Sequence, residues 1–237
     1  MGVKIPGLWY INSMKENKAA FFLMVFMVCL SGAAHSDSLL SWSVKGSMFI
    51  ITADNGLKAD PMPITVSAGV SAAYPIFDIF SVEGSLDFYG TTYGFPQKPD
   101  SLPWPVPYAE ENRSTLVIGT LFGALGVLKL PLVKGLGFRA YAGPGADFRI
   151  CLIAHDLKGK DRDDAADQTS RTARYFWGKG RWFYPMAGLG MDFPVLPKLL
   201  LGFDVRTWFP VYKLWTNEHL PGVEGWKFAA GIRVTIR

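Results

Sequence analysis

The chain has 237 residues, a formal net charge of +4, 49% hydrophobic and only 19% charged residues, and 14% aromatic ones. That balance excludes a disordered chain. Setting aside Lys4, Lys15, Lys18 and Glu16 near the N-terminus leaves about +2 and no basic stripe, so a nucleic-acid partner is excluded as well. A mean hydropathy of +0.17 with scattered charges suits a membrane protein whose apolar and polar residues interleave.

In residues 1–36, Lys15 and Lys18 precede an apolar run over 19–30, which ends in the small residues Ser31-Gly32-Ala33-Ala34 before His35 and Ser36. This reads as a secretory signal peptide, with Met14 as the better start and cleavage after Ala34 or Ser36. A lipoprotein reading would acylate Cys29, but Phe26-Met27-Val28 lacks the usual Leu and small residues before it. A retained anchor is disfavoured because 19–34 is short for a span of ~20 residues. The chain is therefore expected to be exported. Cys151 is then alone in the mature chain and has no intramolecular disulfide to form.

From 37 onward the apolar residues recur with period two, the signature of half-buried strands. Residues 40–51 set Leu40, Trp42, Val44, Gly46, Met48 and Ile50 against Ser41, Ser43, Lys45 and Ser47. A loop with Asp54-Asn55-Gly56 follows. Residues 64–74 and 80–90 form the next two strands around a tight turn at 75–78, the second setting Phe80, Val82, Leu86 and Phe88 against Ser81, Glu83, Ser85, Asp87 and Tyr89. Residues 91–114 carry five prolines and read as a long loop, since proline cannot donate to a sheet ladder. Residues 115–128 are apolar on both faces and make the least distinct strand. The GxxxG spacing of Gly119 and Gly123 offers a helical alternative there, but the run falls short of a membrane-spanning helix.

After a short turn at 129–135, residues 136–150 alternate again, with Arg139, Tyr141, Asp147 and Arg149 on the polar side. Residues 154–180 read as the longest loop, of mixed charge. Residues 186–210 form a hairpin whose first strand sets Ala187, Leu189, Met191 and Phe193 against Gly188, Gly190 and Asp192. The second sets Leu199, Leu201, Phe203 and Val205 against Leu200, Gly202, Asp204, Arg206 and Trp208. A loop at 212–225 leads to a last strand at 226–236. Pro144 and Pro185 each remove a ladder hydrogen bond, so bulges are expected there.

Connections after the first, third, fifth and seventh strands are long and polar, and those between are short. Strands of about the ~9–11 residues that cross a bilayer when tilted, with Trp42, Tyr74, Trp182, Trp208 and Trp226 near their ends, fit a barrel with aromatic girdles. A soluble lipocalin-like barrel would turn its apolar rows inward, and the signal peptide favours the membrane. The expected fold over 37–237 is all-β, a transmembrane eight-stranded antiparallel up-and-down β-barrel.

The runs GLGMDFPVL at 188–196 and KLLLGFDVR at 198–206 resemble the penultimate hairpin of small eight-stranded outer-membrane proteins, the OmpW/OmpX/OmpA-like group, and YAGPGAD at 141–147 is similar to another of its strands. The proline- and tryptophan-rich loops resemble a spirochaetal, treponemal member. The resemblance implies residence in the cell outer membrane of a Gram-negative-type envelope, contact with its lipids and insertion by the barrel-assembly machinery. Such barrels usually end in an aromatic residue, whereas this chain ends Ile236-Arg237.

With the apolar rows facing lipid, the lumen receives Lys45, Glu83, Asp87, Arg139, Asp147, Arg149, Asp192, Asp204, Arg206, Lys227 and Arg233, six bases against five acids. An eight-stranded interior is just wide enough for side chains, and unpaired buried charges are costly. These charges are therefore expected to pair and plug the lumen. Trp182, Tyr184 and Trp208 mark a shallow aromatic site at the outer rim.

No enzyme is expected. Some barrels of this topology act on lipid A through a histidine, but His155 and His219 sit in loops with no spacing that demands an acid or serine partner. Asp161, Asp163, Asp164 and Asp167 evoke a calcium loop, yet Lys160, Arg162 and Arg171 cancel the field and no EF-hand glycine follows. Gly143-Pro144-Gly145 precedes no helix pattern and is no phosphate loop. No metal or cofactor is expected. Function is expected in the surface loops of a monomer, as host or extracellular contact or as envelope integrity. The alternatives are an OmpW-like narrow channel for small or hydrophobic solutes and, third, a lipid-modifying enzyme.

Overall fold

The computed structural model describes residues 40–52, 64–94, 106–107, 115–132, 135–153, 160–216 and 225–236. The signal-peptide segment, His155 and His219, and most of the first two long loops lie outside the described residues.

Period-two sequence becomes period-two burial. Strand β1 (Ser41–Ile51) buries Ser43, Lys45, Ser47, Phe49 and Ile51 and exposes the even-numbered residues between them from Gly46 to Ile50. β2 (Thr65–Phe77) and β3 (Phe80–Gly94) follow, then β4 (Thr115–Pro131), β6 (Met186–Leu196), β7 (Leu199–Trp208) and β8 (Lys227–Ile236). Strand β5 runs in two segments, Gly137–Gly143 and Gly145–Ile153, because Pro144 interrupts the ladder. Every described neighbour pairing is antiparallel and follows chain order, and β1 closes on β8 from Trp42↔Ile236 to Ile51↔Lys227. Among the described residues this is an eight-stranded up-and-down barrel.

The proline break is absorbed locally. The Ala124 N–H donates to the Pro144 carbonyl at 3.0 Å, and the Tyr184 N–H donates to the Gly145 carbonyl at 2.9 Å. Residues 182–184 thus stand beside the second segment of β5, with Phe183 opposite Ala146, until β6 takes over at Met186. Pro185 falls just outside β6 and accepts a bond from the Phe209 N–H at 2.9 Å.

Three expectations are corrected. Residues Lys160–Trp177, within the expected loop, form helix α1. Its sequence holds no proline or glycine, and its acids, Asp161, Asp163, Asp164 and Asp167, fall in the first two turns, with Arg171 and Arg174 towards the end, as the helix dipole favours. Strand β3 runs four residues past 90, and the loop beyond it re-pairs at Gly94↔Val106. Trp208, expected in a girdle, is fully buried, because strand parity points it into the lumen.

The outward rows stay apolar and open: Val66 is 73% exposed, Ile150 64% and Ile232 60%. A continuous apolar surface of this kind is unsuited to water, and no described helix is long and apolar enough to cross a membrane. The strands make the crossing. Short turns join the strands at one end and long connections at the other. With an even strand number and an apolar outer band, this is the architecture of a small outer-membrane barrel.

Candidate functional site

All eleven charged residues singled out above lie inside the barrel, none more than 8% exposed, and each has an ion-pair partner. Three groups of them stack along the lumen.

In the middle group, Lys45 Nζ donates to Asp87 Oδ2 at 3.0 Å and to Ser85 Oγ at 2.7 Å, while Arg206 reaches from β7 to donate to Asp87 Oδ1 and to Ser47 Oγ. Arg206 Nε also lies 3.2 Å from Asp204. Register explains how a β3 carboxylate meets a β1 ammonium. Gly69 of β2 stands between Lys45 and Asp87, and a Cβ there would collide with the Asp87 carboxylate. Glycine in a strand marks a close approach, and here the side chain of Asp87 lies over it.

Towards the turn end, Arg233 Nη1 donates to Glu83 Oε1 and Oε2 at 3.2 and 2.9 Å, and Arg139 Nε lies 2.6 Å from Asp192. Ser43 and Thr235 join at 2.8 Å beside them, and Thr235 accepts from Arg233 Nε at 3.1 Å. Towards the loop end, Asp147 gathers Lys227, Arg149 and the Tyr89 hydroxyl, which donates to both carboxylate oxygens at 3.0 and 2.9 Å. Tyr89 gets there by lying over Gly119, where a Cβ would meet its ring.

Above this group the chemistry changes from carboxylates to rings. Phe49 stacks on Tyr89 at 4.6 Å and meets Trp208 edge-on at 6.0 Å. Lys227 Nζ sits 3.8 Å from the centre of the Tyr184 ring, and the Arg149 guanidinium 3.9 Å from that of Phe176. Both are cation–π distances. Arg149 Nη2 also donates to the Arg181 carbonyl at 2.9 Å, and Arg181 lies 4.2 Å from the Tyr175 ring. Tyr175 and Phe176 belong to the last turn of α1. The helix packs its row Ala165, Thr169, Thr172 and Phe176 towards the barrel, with Phe176 against Val117 and Thr169 joined to Thr115 at 3.1 Å. Helix α1 therefore covers inward-facing residues at the loop end of β4 and β5. Burial raises the Tyr175 and Tyr212 phenols above their ordinary value, so both stay protonated at neutral pH.

The three residues expected as a rim site do not share one open surface. Tyr184 and Trp208 are fully buried in the lumen core, and Trp182 is 40% exposed. The aspartates that evoked a calcium loop belong to α1, where Asp167 pairs with Arg171 at 2.7 Å. No cluster of three or more metal-ligating side chains occurs among the described residues. Sequence reasoning missed Phe49, Tyr175, Phe176, Arg181 and Tyr212. Strand parity extended two residues past Ser47 would have found Phe49; the others sit in connections where no strand period applies.

No protein-family model matches the sequence, and no curated protein matches it. Among solved structures the chain is similar to Neisserial surface protein A (TM-score 0.49, 12% identity, 84% of this chain and 97% of that one). It is also similar to the outer membrane protein OprG from Pseudomonas aeruginosa (0.47, 10%, 83% and 96%). A third is Ail, the attachment invasion locus protein of Yersinia pestis (0.41, 10%, 83% and 97%).

Proposed function

We propose that this outer-membrane barrel is a closed scaffold whose work is done at its loop end, as surface or host contact or as envelope integrity, and that it does not conduct. One observation carries the reading: the lumen is filled by ion-paired side chains drawn from opposite walls, and α1 packs over its loop end. A solute would have to part buried pairs whose separation costs several kcal/mol each. This weighs against a narrow channel for small or hydrophobic solutes. A rigid barrel holding long connections on one side is the usual arrangement for binding through loops. The reading assigns no catalysis, and its partners are the membrane lipids, the barrel-assembly machinery and extracellular ligands met by a monomer.

Planar-bilayer conductance of the refolded chain is the test, with β content verified beforehand by circular dichroism. A silent, fully folded barrel is the expected result. Discrete and reproducible current steps would overturn the closed-lumen reading and promote the channel.

A further inference from the structure

Helix α1 meets the barrel at an edge. The second segment of β5 pairs with β4 along its whole length, from Gly145↔Gly123 to Ile153↔Thr115. Its other edge is held only as far as Asp147, by residues 182–184. Beyond Asp147 that edge has no ladder partner among the described residues. The last turn of α1 stands there, and its last two residues take opposite sides of the strand. Phe176 is buried on the lumen side, its ring centre 3.9 Å from the Arg149 guanidinium. Trp177 packs on the outward Phe148 at 5.5 Å, and Phe148 meets Phe122 edge-on at 5.3 Å. Consecutive helix residues thus grip consecutive strand residues, one inside the barrel and one outside. Neighbours on a helix point about 100° apart, so they straddle a strand where no next strand blocks the way.

The outer half of this grip opens onto the surface that lipid covers. Trp177 is 47% exposed although it packs on Phe148, and it is the one large apolar side chain exposed among the described residues of α1. Phe122, Phe148, Ile150 and Leu152, all outward on β4 and β5, are between 39% and 64% exposed, and the indole continues their row. Tryptophan suits this depth, its ring apolar and its N–H able to meet headgroups. Trp226 has the same setting at β8: it is also 47% exposed and stacks on the outward Phe228 at 6.2 Å. The rest of the helix belongs in water, since Asp163, Asp167, Arg171 and Arg174 are exposed on it.

We propose that the outer leaflet of the membrane is the partner of α1: Trp177 seats in lipid beside Phe148, and the bilayer thereby holds the helix closed over the lumen. Lifting α1 must draw the indole out of lipid as it takes Phe176 off Arg149, because the two residues are adjacent in one turn. A second copy of the barrel fits this ring less well. It would take the exposed Arg174, one turn before Trp177, out of water as well. The inference rests on the barrel crossing a membrane and on α1 lying over its loop end; it is independent of whether the lumen conducts.

The test places the refolded full chain in nanodiscs of phosphatidylcholine whose acyl chains are brominated near the headgroup, since bromine quenches indole fluorescence on contact. Subtracting the emission of Trp177→Phe, which keeps a ring on Phe148, isolates the one indole. Most of that difference should be lost in brominated discs and present in unbrominated ones. An unquenched difference would overturn the proposal, as would quenching that fades when more barrels share a disc, the mark of a second copy. Trypsin then reads the coupling. In Trp177→Gln, cleavage after Arg171 and Arg174 should speed up roughly tenfold, because the apolar half of an indole no longer lies in lipid. Phe148→Ala, which leaves the indole its lipid, should speed it by less, with circular dichroism verifying both barrels. Unchanged cleavage in Trp177→Gln, or a larger effect in Phe148→Ala, would show that the barrel wall and not the bilayer holds the helix.

Discussion

The lumen has two halves built on different principles. In the half towards the turns, fixed carboxylates hold bases that come from strands alone: Asp87 on β3 takes Arg206 from β7, and Glu83 on β3 takes Arg233 from β8. In the half towards the loops, cations meet rings, and most of those rings come from connections: Phe176 and Tyr175 from α1, Tyr184 from the approach to β6, Tyr212 from the turn after β7. The first half joins walls that close only when the whole barrel forms. In the second half α1 packs against the barrel without joining its ladder, the pattern of a locally cooperative unit on a stable core, whereas residues 182–184 are bonded to β5.

The comparison is broken most directly at Asp87. In Asp87→Ala two buried cations, Lys45 and Arg206, lose their shared carboxylate, and the expected loss is about 3–5 kcal/mol. Urea unfolding in micelles measures it. A midpoint no lower than that of the unchanged barrel would mean that the belt does not hold the walls together. Gly119→Val tests the joint between the halves. Its side chain would displace the Tyr89 ring and with it both bonds to Asp147, for a loss of about 1–3 kcal/mol by overpacking.

Phe176→Ala sharpens the distinction by acting on the cap alone. It removes the ring over Arg149, a contact worth about 1–2 kcal/mol when desolvated. Opening of α1 should then rise roughly 5–30-fold. Trypsin reports this, since Arg171 and Arg174 lie in the helix. Cleavage there should speed up while the urea midpoint of the barrel holds. A parallel fall of the midpoint would show cap and belt to be one cooperative unit.

What the sequence disclosed follows the same division. Period two decides which face a strand residue takes, so the odd-numbered row Glu83, Asp87 and Tyr89 and the even-numbered row Asp204, Arg206 and Trp208 were legible as one side of each strand. Trp208 shows the limit of a second cue. Its place at a strand end pointed to a girdle and its parity to the lumen; parity prevailed because the pleat fixes direction and the strand end fixes only depth. Helix α1 was obscured because its barrel-facing row, Ala165, Thr169, Thr172 and Phe176, has helical spacing but one large apolar residue among four. Gly69 and Gly119 signalled close approach, but which side chain approaches depends on register across two further strands. The cap could not be read at all, since its rings converge from two separate connections.

The smallest expected effect comes from the same two groups placed outside. Asp167 and Arg171 pair at 2.7 Å on α1, with side chains 54% and 57% exposed. By distance alone this bridge equals those in the lumen, yet water solvates both partners before and after they meet. An i,i+4 pair of this kind contributes about 0.3–0.5 kcal/mol, and salt screens it. Asp167→Asn should therefore raise tryptic cleavage of α1 about twofold at low salt, by less at high salt, and leave the urea midpoint of the barrel unchanged. Asp87→Ala, enclosed between β1 and β7, should keep its full effect at either salt concentration. A salt dependence shared by the two variants would mean that solvent reaches the lumen charges, and the contrast between an enclosed belt and an exposed helix face would fail.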